Sequence, residues 1–155
     1  AGEITLATNL AACTRSLIIA SVSIIVFSFI VDLKFHNFFY IFIYTFLGSF
    51  ILSSIGIIIG LWAEKFDHMA TVTNFLIVSL SFLSGTFYSI ERLPSVLHQI
   101  SELNPFFYMI DGFRYGFIGT ADVSIIYGII YLTILSFVTW FVAYLLHKRG
   151  YKIKF

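Results

Sequence analysis

Three histidines each stand four residues from a carboxylate, which is the spacing of one helical turn. The pairs are Asp32 with His36, Glu64 with His68, and His98 with Glu102. Each pair could supply two ligands to a metal ion, but a zinc site needs three or four, and no third ligand follows any pair at a fixed spacing. We therefore expect solvated or interfacial side chains at these positions and predict neither a metal site nor a catalytic residue.

Asp111 and Arg114 form another charged pair, inside an otherwise apolar run. Residues three apart lie on adjacent turns of a helix, and charges near a membrane are costly unless they are paired or wet. We predict an ion pair, either within the helix or between subunits, that fixes the position of this helix. Direct contact with a substrate is the alternative.

Common hydrolytic motifs are missing from the sequence. It contains no phosphate-binding loop of the form G-x-x-x-x-G-K-[ST], no nucleophile elbow and no H-E-x-x-H. We therefore expect no cofactor in this chain. The net charge of +1 offers no basic face, which argues against nucleic acid as a partner. Cys13 is the single cysteine, so no intrachain disulfide can form.

Composition predicts a membrane protein, because hydrophobic residues make up 59% of the chain and charged residues 11%. Length favours helices over barrel strands, which need only about ten residues to cross. We predict an all-α fold with four membrane helices in one transmembrane domain, 1–155. The predicted spans are about 11–33, 38–63, 69–90 and 123–146. A start at Ala without a signal-peptide pattern suggests a fragment or a processed chain.

The connection between the last two predicted spans contains an apolar run that is too short to cross. At about 1.5 Å per residue, Pro105 to Ile118 reaches about 20 Å, against a hydrocarbon core of about 30 Å. We predict two short re-entrant or outer helices broken at Asn104-Pro105, with Asn104 as the N-cap of the second. Such elements often form a pathway or a gate. The candidate gate residues are Pro94, Asn104, Pro105, Tyr108, Asp111, Arg114 and Tyr115.

Lysine and arginine positions predict the orientation of the spans. With four spans, both termini lie on the same side. That side would carry six basic residues, Arg15, Lys65, Lys148, Arg149, Lys152 and Lys154, and the other side three, Lys34, Arg92 and Arg114. We therefore expect both ends to be cytosolic and the long connection, 91–122, to face outward.

Small residues recur on single faces of two predicted spans. Ser49, Ser53, Gly56 and Gly60 are spaced 4, 3 and 4 along the second span, and Gly56-x-x-x-Gly60 is a pattern that lets helix backbones touch. Gly85 shares a face of the third span with Asn74. We predict helix packing at both faces. Asn74 is expected to bond a neighbouring helix, or alternatively to line a polar pathway.

Aromatic residues gather where the predicted spans should meet the interfaces. They include Phe35, Phe38, Phe39, Tyr40, Trp62, Tyr88, Phe106, Phe107, Tyr108 and Tyr115. The simplest interpretation is a belt that anchors the helices at the lipid headgroups. The alternative is a stacking surface for a ring-bearing or glycan substrate.

Three segments carry a resemblance to a known family. They are GIIIGLWAEKFDHMATVTNF, FLSGTFYSIERLP and NPFFYMIDGFRYGFIG, with Leu93-Pro94, Pro105-Phe106-x-Tyr108 and the spaced Arg114 as the most specific features. Together they resemble the C-terminal part of type-2 ABC-transporter permeases, which are membrane subunits of bacterial exporters for drugs, surface glycans and nodulation factors. The resemblance covers about 38–155.

The resemblance implies a six-helix permease of the bacterial inner membrane. Such a subunit works as a homodimer or pseudo-dimer with cytosolic ATPase subunits, which bind ATP and magnesium. Family members also carry an upstream interfacial helix, two spans and a segment that touches the ATPase, and these residues contain at most the end of that segment. We expect the membrane-spanning permease subunit of an exporter, surrounded by lipid.

Two alternatives to this function belong to other classes. A membrane enzyme acting on glycans or lipids would use Asp111 or His98, but it would need a convergent acid-base or metal set, and only isolated pairs are found. A non-catalytic membrane assembly protein would fit the small-residue faces and would leave the short re-entrant segment unexplained.

Overall fold

The computed structural model describes residues 2–84, 99 and 101–149, and every regular element in these ranges is a helix. Two of the three longest helices nearly coincide with uncharged runs of the sequence, because little in those runs interrupts a helix. In chain order the elements are α1 (Gly2–Ser28), α2 (Phe38–Trp62), α3 (Phe66–Val72), a π-helical turn (Thr73–Ile77), α4 (Val78–Phe82), α5 (Pro105–Ile118) and α6 (Ile125–Lys148). The predicted all-α membrane fold is confirmed.

Three described helices, α1, α2 and α6, are long and apolar enough to cross a membrane. Compared with the predicted span 11–33, α1 begins nearer the N-terminus and ends earlier, in a turn where Ile30 N–H bonds the Phe27 carbonyl at 3.0 Å. Part of the predicted span 69–90 is helical through Phe82, and its end lies outside the described residues. That fourth crossing therefore stays a prediction.

Helix α2 is the centre of the bundle and packs against α1, α5 and α6. The core cluster consists of Tyr44, Leu47, Ile51, Phe107, Tyr108, Met109 and Leu132. Phe107 and Tyr108 are therefore core residues, and not part of the predicted interfacial belt. These two residues are buried because the first two turns of α5 pack against α2 and α6, away from lipid.

A buried polar contact ties α1 to α2. Asn9 and Ser54 are fully buried, and the Asn9 amide donates to the Ser54 hydroxyl over 2.9 Å. One turn further along α1, the Cys13 thiol donates to the Phe46 carbonyl at 3.7 Å. Polar groups shielded from water are costly unless they are bonded, so these contacts fix the register of the two helices.

Glycines allow α5 and α6 to approach α2 closely. A Cβ on Gly112 would come within 2.1 Å of the Tyr44 ring, and one on Gly116 within 2.3 Å of the Ile41 side chain. On α6, a Cβ on Gly128 would lie 2.7 Å from the Tyr44 hydroxyl. Tyr44 can therefore lie between the two helices and donate to the Ile125 carbonyl at 2.8 Å.

The predicted packing face of α2 does not contain these close contacts. Gly56 and Gly60 are exposed, and an added Cβ on either would meet no atom within 4 Å. Ser49 and Ser53 are half-buried, and Ser49 bonds back to the Thr45 carbonyl at 2.7 Å. Within the described residues this face has no tight helix neighbour, so a contact across a dimer stays a prediction.

The helical segment from α3 to α4 packs loosely on the rest of the described bundle, touching α2 near its start and α5 near its end. It contains the π-helical turn Thr73–Ile77, a distortion that often accompanies functional sites. Asn74 lies in this turn, exposed, and its side chain meets no hydrogen-bond partner among the described residues. Its predicted interhelical bond is therefore untested, and Gly85 lies outside the described residues.

Candidate functional site

The candidate site is the end of the bundle at which α2 and α6 begin, and its central element is α5. Contacts of Gly116 with Ile41, Gly112 with Tyr44, and Met109 with Gly48 show that α5 runs antiparallel to the first half of α2. Its 14 residues reach about 21 Å at about 1.5 Å each. Helix α5 therefore runs from the middle of the bundle to the end at which α2 begins, and it is too short to cross a membrane. We call residues 101–124 the α5 cap.

Asn104 starts α5, as the sequence predicts. Its side-chain oxygen accepts from the Phe106 amide at 3.0 Å, and Pro105 occupies the first helical turn, where its missing N–H costs nothing. The helix ends at Gly119, whose φ of +79° is a left-handed conformation that favours glycine.

Asn104 has a second contact that the sequence does not reveal. Its side-chain amide donates to the Leu80 carbonyl over 2.7 Å, and the Ser101 hydroxyl donates to the Leu83 carbonyl at 3.2 Å. Both carbonyls lie at the end of α4, where the last turn lacks helical donors. The residues before α5 therefore cap α4 while Asn104 also caps α5.

Tyrosine hydroxyls hold the segment that leads into α5. Tyr108 donates to the Glu102 carbonyl at 2.7 Å, and Tyr131 of α6 donates to the Leu103 carbonyl at 2.9 Å. The two rings are in contact, with centroids 4.6 Å apart. Tyr108, predicted as a gate residue, is thus a buried support of the α5 cap.

The predicted ion pair is formed. An Arg114 Nη2 atom lies 2.6 Å from Asp111 Oδ1, three residues away on α5, and 2.7 Å from Asp122 Oδ2. Desolvation lowers the pKa of the Arg114 guanidinium, but its hydrogen bonds to Asp122 and Asp111 outweigh this, and the pKa is raised. Arg114 therefore bridges α5 to the loop that follows it.

Asp111 also accepts backbone hydrogen bonds from that loop. The Asp122 amide lies 3.0 and 3.1 Å from its two carboxylate oxygens, and the Val123 amide 3.1 Å from Oδ2. Asp111 is only 4% exposed, and a buried carboxylate is tolerated when such bonds satisfy it. The loop returns to Asp111 just before α6 starts, which no sequence spacing could have indicated.

The other end of α5 is tied to the start of α2. The Gly116 carbonyl accepts from the amides of His36 and Asn37, both at 2.9 Å, and Asn37 then caps α2 by accepting from the Phe39 amide at 2.9 Å. Tyr115 contacts the rings of His36 and Tyr40, with centroids 5.3 and 5.2 Å apart. Tyr115 thus closes an aromatic seam between α5 and α2.

The remaining predicted residues take other positions. His36 packs in this aromatic seam, and His68 lies against Trp62 with ring centroids 5.9 Å apart. In the described part of the chain, no three His, Cys, Asp or Glu side chains come together as a metal site. Pro94 and His98 lie outside the described residues.

Gly112 and Gly116 are site residues that the sequence interpretation missed. They repeat the Gly-x-x-x-Gly spacing of Gly56 and Gly60, in the segment that also carries Asp111 and Arg114. The same small-residue criterion, applied to α5, would have found the helix face that packs on α2.

Comparison with known proteins adds a family and several relatives. Residues 1–118 match the family described as ABC-2 type transporter. The chain is 34% identical over 124 residues to "Inner membrane transport permease YadH" of Escherichia coli (strain K12), covering 79% of this chain and 48% of the relative. The same protein of Escherichia coli O157:H7 and of Shigella flexneri gives identical figures. The chain thus spans about half the length of these relatives, and no solved structure matches significantly.

Proposed function

Since the chain belongs to the family of ABC-2 type transporters, we propose that it supplies helices of the membrane permease in an ATP-driven exporter. In this role the chain forms part of the substrate pathway, and a separate cytosolic ATPase binds ATP and magnesium and hydrolyses the nucleotide. The observation that carries the proposal is the α5 cap, whose short helix enters the bundle from one end; the cap is bonded to the start of α2, to α4 and to α6. A fixed, half-crossing element of this kind suits a gate at the mouth of a pathway.

The proposed orientation places the α5 cap on the outer side of a bacterial inner membrane and both chain ends in the cytosol. Support comes from the excess of basic residues on the side of Lys65 and the C-terminal tail. The relatives bear the words "inner membrane" in their names. Export follows in this proposal because a gate at the outer mouth controls release.

The proposed partners are a cytosolic ATPase and a second permease subunit, identical or homologous. The exposed face with Gly56 and Gly60 supports a subunit contact, because small residues let helix backbones approach where no larger side chain intervenes. Coupling to the ATPase requires that inward and outward states interact differently with it.

A substrate-independent experiment tests the proposal. The full-length protein is purified in nanodiscs and added to the ATPase encoded beside it, and ATP hydrolysis is measured with and without the permease. We expect co-purification of the two proteins and a change in hydrolysis rate. The control is an ATPase whose phosphate-loop lysine is replaced, which should still bind the permease but not hydrolyse ATP. Absence of any complex, with hydrolysis indifferent to the permease, would contradict the proposal.

Orientation is tested separately with single cysteines in a Cys13→Ser background. An impermeant thiol reagent applied to intact cells should label Glu102→Cys and leave Lys65→Cys and Lys152→Cys unlabelled. The opposite labelling pattern would show that the α5 cap faces the cytosol.

A further inference from the structure

An open cavity of about 300 Å³ lies between α1, α2 and α6, and no residue of the α5 cap belongs to its described lining. Small-molecule sites typically have volumes of about 300 to 1,000 Å³. The described lining contains apolar, aromatic and hydroxyl-bearing side chains and no charged one, and an unpaired ion is costly to bury in such surroundings. The cavity, which we call the α6 groove, therefore has room for a small uncharged molecule.

Two pairs of aromatic rings line the α6 groove. Phe46 and Phe50 lie one turn apart on α2, with ring centroids separated by 6.3 Å. Phe137 and Trp140 are neighbours on α6, with ring centroids 6.1 Å apart. Aromatic rings bury large apolar areas and favour offset or edge-to-face contacts with another ring. A ligand that contains flat rings therefore matches this lining better than the saturated acyl chain of a lipid.

Two polar atoms in the wall of the α6 groove lack hydrogen-bond partners. Ser136 is only 6% exposed, and neither its hydroxyl nor the indole N–H of Trp140 bonds to any described group. The two residues are four apart, so they lie on the same face of α6. Buried polar groups are normally bonded, and each exception requires an explanation. Lipid hydrocarbon cannot supply the missing partner, whereas a ligand with an acceptor oxygen can bond to both atoms.

Thr133, in the same wall, shows how a hydroxyl of α6 can be satisfied without a ligand. Its hydroxyl donates to the Ile129 carbonyl at 2.7 Å, one turn earlier in the helix. A serine can donate to the preceding turn in the same way, and Ser136 does not. The free Ser136 hydroxyl and Trp140 N–H are shielded from solvent, so a ligand reaches them through small side-chain rotations, which are common on binding.

We propose that the α6 groove binds a flat aromatic molecule with a carbonyl oxygen, which accepts hydrogen bonds from Trp140 Nε1 and Ser136 Oγ. The indole N–H can only donate, so the complementary group on the ligand is an acceptor. The aromatic pairs of α2 and α6 contact the ring system of the ligand. A membrane helix, about 10 Å wide, is a poorer fit to a cavity of this volume. This binding does not depend on the proposed transport function.

The first test compares fluorenone with fluorene, which share a flat ring system and differ in one carbonyl oxygen. The full-length protein in nanodiscs is irradiated with benzophenone, a photoreactive aromatic ketone, and the labelled residues are mapped by mass spectrometry. We expect labels within 46–50 and 133–140, which carry most of the described lining. Fluorenone should suppress these labels at a concentration in the lipid about tenfold lower than fluorene requires.

Two results of this test would overturn the proposal. One is equal suppression by fluorenone and fluorene, which would show that the carbonyl oxygen is not recognised. The other is the absence of label from both segments, which is expected if another membrane helix fills the groove in the full-length protein.

Substitutions then assign the hydrogen bonds. Trp140→Phe keeps an aromatic ring but loses the N–H, and Ser136→Ala loses the hydroxyl. Each change should reduce the preference for fluorenone over fluorene about threefold, and the double variant should abolish the preference. A full preference for fluorenone in the double variant would overturn the proposal.

Stability and a control in the same wall separate binding from folding. The Ser136 hydroxyl has no partner among the described residues, so Ser136→Ala should not lower the melting temperature, whereas loss of a structural hydrogen bond would lower it. The matched control is Thr133→Val, which removes a hydroxyl that is already bonded to Ile129. It should keep the full preference for fluorenone, and a loss equal to that of Ser136→Ala would overturn the proposal.

Discussion

The two ends of α2 are built differently. Its first half, from Phe38 to Ile51, is covered by α1, α5 and α6 and is surrounded by glycine contacts and backbone-directed hydrogen bonds. Its second half is buried against α1 at Ser54, which accepts from Asn9, but it exposes Gly56 and Gly60, and the α3-to-α4 segment touches it only near the connecting turn. The small residues of the first half thus have close neighbours within the chain, whereas Gly56 and Gly60 lie on a surface that another chain can cover.

This difference suits a permease. Asn104, Asp111 and the Gly116 carbonyl of the α5 cap are bonded within their own chain, so the cap can hold its shape while the helices below it move. A face of small residues that lacks an intrachain neighbour can instead take part in a contact that changes between states. The predictions below test whether the two halves differ in this way.

The largest effect is expected from Asp111→Ala. Removal of this carboxylate leaves the Asp122 and Val123 amides without their acceptor and Arg114 with one partner fewer. A shielded donor left without its acceptor costs about 1 to 3 kcal/mol, and two amides lose their acceptor here. The measurement is thermal unfolding of the full-length protein in detergent. A conservative surface control, Asp67→Ala, should change the melting temperature little, and equal effects of the two would contradict this prediction.

Reversal of the charges at Asp111 and Arg114 tests whether Asp111 acts through more than its ion pair. If Asp111 acted only as the ionic partner of Arg114, the double variant Asp111→Arg with Arg114→Asp would recover part of the lost stability. The two backbone amides at Asp111 require a hydrogen-bond acceptor, which an arginine at this position lacks, so we expect no rescue. Recovery in the double variant would reduce the role of Asp111 to a simple ion pair.

Gly112→Ala should be the next most disruptive change. The added Cβ would come within 2.1 Å of the Tyr44 ring, which is 2% exposed and held through its hydroxyl by the Ile125 carbonyl. Overpacking of this kind costs about 1 to 3 kcal/mol. Gly56→Ala is the matched control, because its Cβ meets open space within the chain and alanine favours a helix by about 1 kcal/mol. Comparable destabilisation by Gly112→Ala and Gly56→Ala would show that the two halves of α2 do not differ in packing.

Two substitutions of Asn104 separate the contributions of its two contacts to stability. Asn104→Ser keeps a side-chain oxygen that can cap α5 but loses the amide that donates to the Leu80 carbonyl, whereas Asn104→Ala loses both. We expect a loss of about 1 kcal/mol for the first and about 2 kcal/mol for the second in the same thermal measurement. Identical losses would mean that only one of the two contacts stabilises the fold.

The smallest effect on the isolated subunit is expected from Gly56→Leu. Within the chain the new side chain has space, so the melting temperature of a monomeric preparation should barely change, as for the control Ile58→Leu. In the proposed dimer it should push helix backbones apart, and cross-linking between subunits should fall. If Gly56→Leu and Ile58→Leu give the same dimer yield, this face is not the subunit contact.

Much of the fold follows from the sequence, because apolar run length and helix caps are local properties. The bounds of α2 and α6, the break at Asn104-Pro105 and the pair of Asp111 with Arg114 all follow from them. The return of Asp122 and Val123 to Asp111 depends on how the loop after α5 folds back. The two faces of small residues share one spacing, and only the packing shows that the face on α5 is buried and the face with Gly56 is open.

Hydrogen–deuterium exchange tests the central claim most directly, namely that Asp111 holds the α5 cap as a fixed unit. The peptide that covers 119–124 is followed in the full-length protein in nanodiscs, beside its Asp111→Ala variant, which has no side-chain acceptor at this position. We predict slow exchange of the Asp122 and Val123 amides in the wild type, although the loop residues Thr120 and Asp122 are exposed, and fast exchange of both amides in the variant. Fast exchange of these two amides in the wild type, or equal protection in both proteins, would contradict the account.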